Sequence, residues 1–142
     1  MSVAGSSLLE SIGKWLGVRP QSELQLATLA EQGLPTEVLR VMSDRGLSQS
    51  EVYSLVIPQR TLKHRRSRKE SLNRDESDRA IRTARVLALA QRVLGSEEKA
   101  LRWMREPKRR FEGRTALQMC VTGAGTQLVE EMLIQIDEGM FA

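Results

Sequence analysis

Apolar residues in this chain recur mostly at three- and four-residue steps, the period of a helix with one buried face. Leu8, Leu9, Ile12, Trp15 and Leu16 mark a first amphipathic helix, and residues 17–22, with Pro20, break it. That helix could pack on the body, serve a partner or stay partly unfolded, so residues 1–30 are set apart as an N-terminal extension. Thr36 stands as the N-cap of a helix carrying Val38, Leu39, Val41 and Met42, ending near Gly46. Ser48-Gln49-Ser50-Glu51 reads as a capping box, with Leu47 and Val52 spaced as a hydrophobic staple. A second helix therefore runs from Ser48 to about Leu55. After a short turn at Val56-Ile57, Pro58 suits the first turn of a third helix, where its missing N–H costs nothing.

Residues 63–76 form a polar, charged run that reads as a surface helix end and linker. Asn73-Arg74-Asp75-Glu76 is a further cap with a glutamate at N3, and a long helix should follow to Leu94, closed by Gly95. Arg79, Arg82, Arg85 and Arg92 fall on one side of it, opposite Ala80, Ala84, Leu87 and Leu94. Ser96 caps a shorter helix with Ala100, Leu101, Trp103 and Met104, ended by Pro107. Gly123-Ala124-Gly125 reads as a two-glycine turn. The last helix is expected from about Thr126 to Glu138, with Val129, Met132, Leu133 and Ile136 as its inward stripe and Gly139 as its stop. An all-α fold follows. Aromatic content of 4% reinforces it, because sandwiches and barrels lean on aromatic residues.

Charge changes the picture. Residues 1–58 carry a net −2, residues 59–114 a net +10 and residues 115–142 a net −4, the last with no lysine or arginine. A basic block of this size is the usual footprint of a polyanion partner, although solvated helix faces can also produce one. One cysteine, Cys120, and one histidine, His64, are too few for a zinc site or an internal disulfide, and Cys120 reads as a small core residue. No metal or cofactor is expected. No long apolar run or signal-type N-terminus is present, which points to a cytoplasmic protein.

Two short helices around a tight turn fit a helix-turn-helix, the second opening Pro58-Gln59-Arg60-Thr61-Leu62-Lys63-His64-Arg65. Leu62 points inward with Val52 and Leu55, while Gln59, Arg60, Lys63 and His64 face out. Gln can bridge adenine N6/N7 and Arg guanine O6/N7. Thr61 and Arg65 can reach phosphates, and Arg66 and Lys69 are further candidates for such contacts. Ser48 and Gln49, at the start of the preceding helix, complete the candidate DNA contacts. One such unit makes few contacts, so pairing on two half-sites, hence at least a dimer, is expected. Catalysis is not: His64 has no acid or nucleophile at a suggestive spacing, and residues 123–125 are no phosphate-cradling loop.

The stretch Val56-Ile57-Pro58-Gln59-Arg60-Thr61-Leu62-Lys63-His64-Arg65-Arg66 resembles the signature of the Xre/ParS/MbcA-type antitoxins. The likeness continues through Glu76-Ser77-Asp78-Arg79, Lys99-Ala100-Leu101-Arg102-Trp103-Met104, Gly113-Arg114-Thr115-Ala116-Leu117 and Ile136-Asp137-Glu138-Gly139. It spans roughly residues 35–142, with Ala116 and Gly123 departing from the family's usual proline and acidic residue. The resemblance implies an Xre-like helix-turn-helix domain over 31–72 and a helical toxin-binding domain over 73–142. It implies, as partners, operator DNA and a cognate RES-domain toxin acting on an NAD-type substrate, with no catalytic role for the antitoxin itself. Toxin contact is expected from Arg114, Glu131, Gln135 and Glu138, and from Gly139, Met140, Phe141 and Ala142 as an apolar tail filling the toxin's active site. The alternative is a stand-alone helix-turn-helix transcription regulator without a toxin.

Overall fold

The computed structural model of the chain describes residues 3–139, with side chains from Leu8 onward. Among these residues the secondary structure is helical, with one isolated bridge pair and no strand. In chain order the helices are α1 (Val3–Leu16), α2 (Glu23–Gln32), α3 (Glu37–Asp44), α4 (Gln49–Leu55), α5 (Gln59–Ser67), α6 (Arg74–Leu94), α7 (Glu97–Arg105), α8 (Ala116–Met119) and α9 (Gly123–Asp137), with a 3-10 turn at Arg109–Phe111. They group into two compact units, Met1–Arg85 and Val86–Ala142, so the division falls within α6.

In the first unit α1 is part of the body. Ile12, Trp15 and Leu16 are buried, and α1 packs on α3. The Arg45 guanidinium lies 5.7 Å from the centroid of the Trp15 ring and donates through Nε to the Lys14 carbonyl at 3.2 Å. Helix α2, absent from the pattern reading, starts where the Ser22 hydroxyl accepts from the Gln25 amide, and it buries only Leu26 fully. Thr36 does not cap α3 as expected. Its backbone is already helical (φ −62°, ψ −19°), and the Pro35 and Thr36 carbonyls take the Val38 and Leu39 amides instead.

Helix α4 begins as the sequence foretells: Ser48 Oγ accepts from the Glu51 amide at 3.1 Å and Glu51 Oε1 accepts from the Ser48 amide at 2.8 Å. Pro58 stands one position earlier than expected, at the N-cap of α5 with an extended ψ of 148°. Val52, Leu55, Val56, Ile57 and Leu62 are buried, each worth about 1.5–3 kcal/mol if fully removed from water, and they lock the α4–turn–α5 corner. After α5, Lys69 turns the chain with a left-handed φ of 55°. The chain then runs beside residues 33–34: Leu72 N–H donates to the Leu34 carbonyl at 2.9 Å, and Leu34 N–H to the buried Ser77 hydroxyl at 2.8 Å. Gly33 permits this approach. Its φ is 91°, and a Cβ there would lie 2.4 Å from the Leu72 carbonyl oxygen.

In the second unit Val86, Leu87 and Ala90 of α6 are buried, as are Ala100, Leu101 and Met104 of α7, Ala116 and Leu117 of α8, and Val129, Met132 and Leu133 of α9. Cys120 is buried and free of disulfide bonding, as a core residue would be. Between α7 and α8 the chain folds back on itself: Pro107 bridges Thr115, and Lys108 N–H donates to the Arg114 carbonyl at 3.0 Å. A further capping box, Thr115 with Gln118, starts α8.

Residues 123–125 are not the turn expected from their glycines. Thr122 Oγ accepts from the Gly125 amide at 2.9 Å, so these residues form the first turn of α9. Gly125 is present because the Met119 carbonyl of α8 presses on it; a Cβ there would lie 1.9 Å from that oxygen. Gly125→Ala should therefore destabilise the protein by about 1–3 kcal/mol, although alanine is the better helix former. Gly113→Ala, in a left-handed turn but with no atom within 4 Å of the added methyl, should cost less. Urea unfolding of the two variants checks the order.

Candidate nucleic-acid interface and an acidic second surface

Helices α4 and α5 turn about Val56 and Ile57, whose amides both bond to the Val52 carbonyl, at 2.9 and 3.3 Å. This corner sets α5 with Leu62 inward and Gln59, Arg60, Lys63 and His64 exposed along its opposite face; Thr61 is half-buried on the flank. Arg60, Lys63 and Arg66 enter no ion pair among the described residues, so their charge is available to a partner. Arg66 and Gln49 both line a groove of about 440 Å³ between α3, α4 and α5, which also carries Arg40 and Tyr53. Ser48 is exposed, but its hydroxyl is engaged as the α4 cap.

Arg65 is placed differently from its neighbours. It is half-buried, and its guanidinium clasps Glu76 of α6, with Nε–Oε1 at 3.0 Å and Nη2–Oε2 at 3.1 Å. Nη1 lies 3.4 Å from Glu70. Glu76 is buried and also accepts from the Asn73 amide at 2.8 Å, while Asn73 Oδ1 accepts from the Glu76 amide at 2.8 Å. The expected cap at Asn73 is therefore formed, and its glutamate serves α5 as well. Three residues along α6, Arg79 donates to the Val56 carbonyl at the end of α4, at 2.8 Å. Burial pushes the Glu76 carboxyl up, but hydrogen bonds from Arg65 and Asn73 and the charges of Arg65 and Arg79 outweigh it and hold the group below its usual 4.5.

In the second unit α9 turns Gln127, Glu131, Ile134 and Glu138 outward. Val121, Leu128 and Ile134 are each nearly half exposed, at 46%, 48% and 47%, which puts large apolar surface among the acids. Gln135 is half-buried and accepts from Nη1 of Arg110 at 3.0 Å, which joins the 107–115 turn to α9. Arg114, on that turn, is exposed and donates to the Phe111 carbonyl at 3.0 Å, with Glu112 at 3.6 Å. On the same turn Lys108 Nζ lies 4.1 Å from the centroid of the Trp103 ring. Gly139 ends α9 with φ 77°. Met140, Phe141 and Ala142 lie outside the described residues. No group of three or more His, Cys, Asp or Glu among the described residues is placed to hold a metal ion.

Residues 25–85 match the family model for the antitoxin Xre-like helix-turn-helix domain, and residues 89–139 match the antitoxin Xre/MbcA/ParS C-terminal toxin-binding domain. The antitoxin Xre of Pseudomonas putida is 42% identical over 118 residues, covering 83% of this chain and 74% of that protein. The chain belongs to the Xre/MbcA/ParS family of antitoxins.

The Xre-like match begins within α2 and ends at the residue where the first compact unit ends. The toxin-binding match covers the end of α6 together with α7, α8 and α9, so the exposed aliphatic and acidic surface of α9 belongs to the domain the antitoxin family uses on toxins. Sequence reasoning missed Leu128 and Ile134 here. Both fall off the inward stripe, and that position was itself the signal. No helix among the described residues is long and apolar enough to cross a membrane.

A pH dependence follows from Glu76. A carboxyl held below 4.5 in the folded state stabilises the fold above its unfolded value, and that contribution is lost as pH falls through the lower folded value. Wild type should lose stability on acidification below 4.5 more steeply than Glu76→Gln, which has no charge to lose. Urea midpoints measured from neutral pH down to pH 3 would show it.

Proposed function

We propose that this antitoxin works through two surfaces: α5 reads an operator controlling its own genes, and the outward side of α9 with the residues that follow covers a cognate RES-class toxin. The observation that carries the DNA half is the helix-turn-helix corner, whose exposed Gln59, Arg60, Lys63 and His64 match the groups that read base edges. Arg66 and Gln49, beside the α3–α5 groove, are assigned to phosphates, with Thr61 and the Ser48 end of α4 bordering them. A homodimer on two half-sites supplies the affinity that one corner cannot.

The toxin half rests on the toxin-binding match and on charge. From residue 115 onward there is no lysine or arginine, and Glu130, Glu131, Asp137 and Glu138 are acidic. Such a surface repels DNA and suits the basic rim of a pocket that binds an anionic, NAD-type substrate. Leu128 and Ile134 supply apolar contact, Glu131, Gln135, Glu138 and Arg114 the polar border, and residues 139–142 block the toxin's active site. The chain itself takes no part in catalysis.

Arg60→Ala should leave the fold intact, because the side chain is exposed, and weaken operator binding by about 1–3 kcal/mol. A gel-shift titration at fixed salt checks this, and unchanged affinity would remove Arg60 from the interface. Leu128→Asp combined with Glu131→Lys should retain operator binding and lose rescue of cells from the co-expressed toxin. Truncation before Gly139 should do the same if the tail is the blocking element. Full rescue by the truncated chain would move the contact onto the helix faces.

A further inference from the structure

Arg65 has the composition of a phosphate contact but not the placement of one. We propose that Arg65 and Glu76 form a strut that sets the angle at which α5 presents its base-reading side chains, governing operator specificity without touching DNA. The inference rests on the DNA-reading role of α5 and adds to it two positioning residues.

The geometry supplies the reasons. Within α5, Arg65 follows Leu62 by three residues and Thr61 by four, so it projects from the inward and flanking side, away from Arg60, Lys63 and His64. Its Nε, Nη1 and Nη2 are all engaged by carboxylates, two of them in a fork on Glu76. A phosphate reaching this guanidinium would have to approach two carboxylates already in contact with it. Glu76 is itself buried and held on more than one side. It closes the Asn73 cap, and the turn around it is tied down by Ser77 to Leu34 and by Arg79 to the end of α4. Glu70 adds a second tie, accepting from Nη1 while its own amide donates to the Arg65 carbonyl at 2.9 Å.

The lever is long enough to matter. Arg65 lies six residues beyond Gln59, about 9 Å along the axis at ~1.5 Å per residue. A swing of roughly 10° about that anchor displaces the first turn of α5 by about 1.5 Å, far more than the few tenths of an ångström a good hydrogen bond tolerates. A loosened strut therefore blurs base reading while leaving the charge of the surface, and with it non-specific binding, almost unchanged.

The test uses full-length Arg65→Lys, Arg65→Gln and Glu76→Gln. Kd is measured over a range of salt on the duplex immediately upstream of the chain's own coding sequence and on a random duplex of equal length, at a temperature where circular dichroism shows each variant folded. The expected result is an operator-over-random preference reduced about tenfold or more in all three variants, with random-duplex binding retained and its salt slope unchanged. Lysine keeps the charge but cannot form the fork, so Arg65→Lys should fail to rescue. A phosphate contact predicts the opposite: wild-type preference in Arg65→Lys, and a salt slope lower by about 0.9 in Arg65→Gln. That pattern, or unchanged preference in a folded Glu76→Gln, overturns the strut. Should Glu76→Gln not fold, the two Arg65 variants decide alone. A wild-type chain with no operator preference overturns the DNA reading and the strut with it; a specific wild type matched by Arg65→Lys overturns the strut only.

Discussion

A carboxylate almost withdrawn from water must be met by donors, and at Glu76 they come from two residues, with the charge of a third nearby. The Asn73 amide fastens it to the start of α6, the Arg65 fork fastens it to α5, and Arg79 adds charge from the next turn while holding the end of α4. Burying a charge is unfavourable until such a set is complete, and removing one member leaves the rest uncompensated. The chain therefore has little freedom in how α4, α5 and the first turn of α6 meet. The buried apolar residues of the corner supply the bulk of the stabilising energy, but apolar contact alone tolerates sliding. The directional set around Glu76 is what makes one arrangement preferable to its neighbours.

That division of labour also explains which cations are left for a partner. The first unit is rich in arginine, yet Arg65, Arg79 and Arg85 are engaged, the last with Glu23 of α2. Arg60, Lys63 and Arg66 lie on the sides of α5 away from these ties. Net charge alone describes the basic block poorly, because part of it is spent inside the fold. In the second unit the sorting goes the other way. The cations gather on α7 and the 107–115 turn, and α9 keeps only acids, amides and exposed aliphatics on its outward side. A chain with two unlike partners gains from this sorting, because each surface disfavours the other's ligand.

What could be read from the sequence was local. Ser48 with Glu51 and Asn73 with Glu76 are three residues apart, and each pair closes its own helix start as the spacing implies. The corner residues Val52, Leu55 and Leu62 were legible for the same reason. Thr36 misled because Pro35 and Thr36 already offer carbonyls to the first amides, leaving no role for the hydroxyl. Helix α2 escaped because its apolar residues bury so little: Leu24 is 76% exposed and only Leu26 is fully covered. The pairing of Arg65 with Glu76 was not legible because the two lie eleven residues apart, across a left-handed turn at Lys69 that no period reveals.

Residues 123–125 show how a non-local contact reverses a local rule. Two glycines in three residues ordinarily argue against a helix, since each forfeits backbone entropy. Here Thr122 caps the segment, and the Met119 carbonyl of α8 sits where a side chain at 125 would be. The conformational cost of glycine is offset by the closeness it permits between α8 and α9. That closeness in turn determines how α9 is rolled, with Val129, Met132 and Leu133 inward and Leu128, Glu131 and Ile134 outward. A larger residue at 125 would have to push α9 away or rotate it, and a rotation of one position is about 100° at 3.6 residues per turn. The close approach of the Met119 carbonyl thus fits the same roll of α9 that the apolar stripe describes, with the residues off that stripe, Leu128 and Ile134 among them, on the outward side.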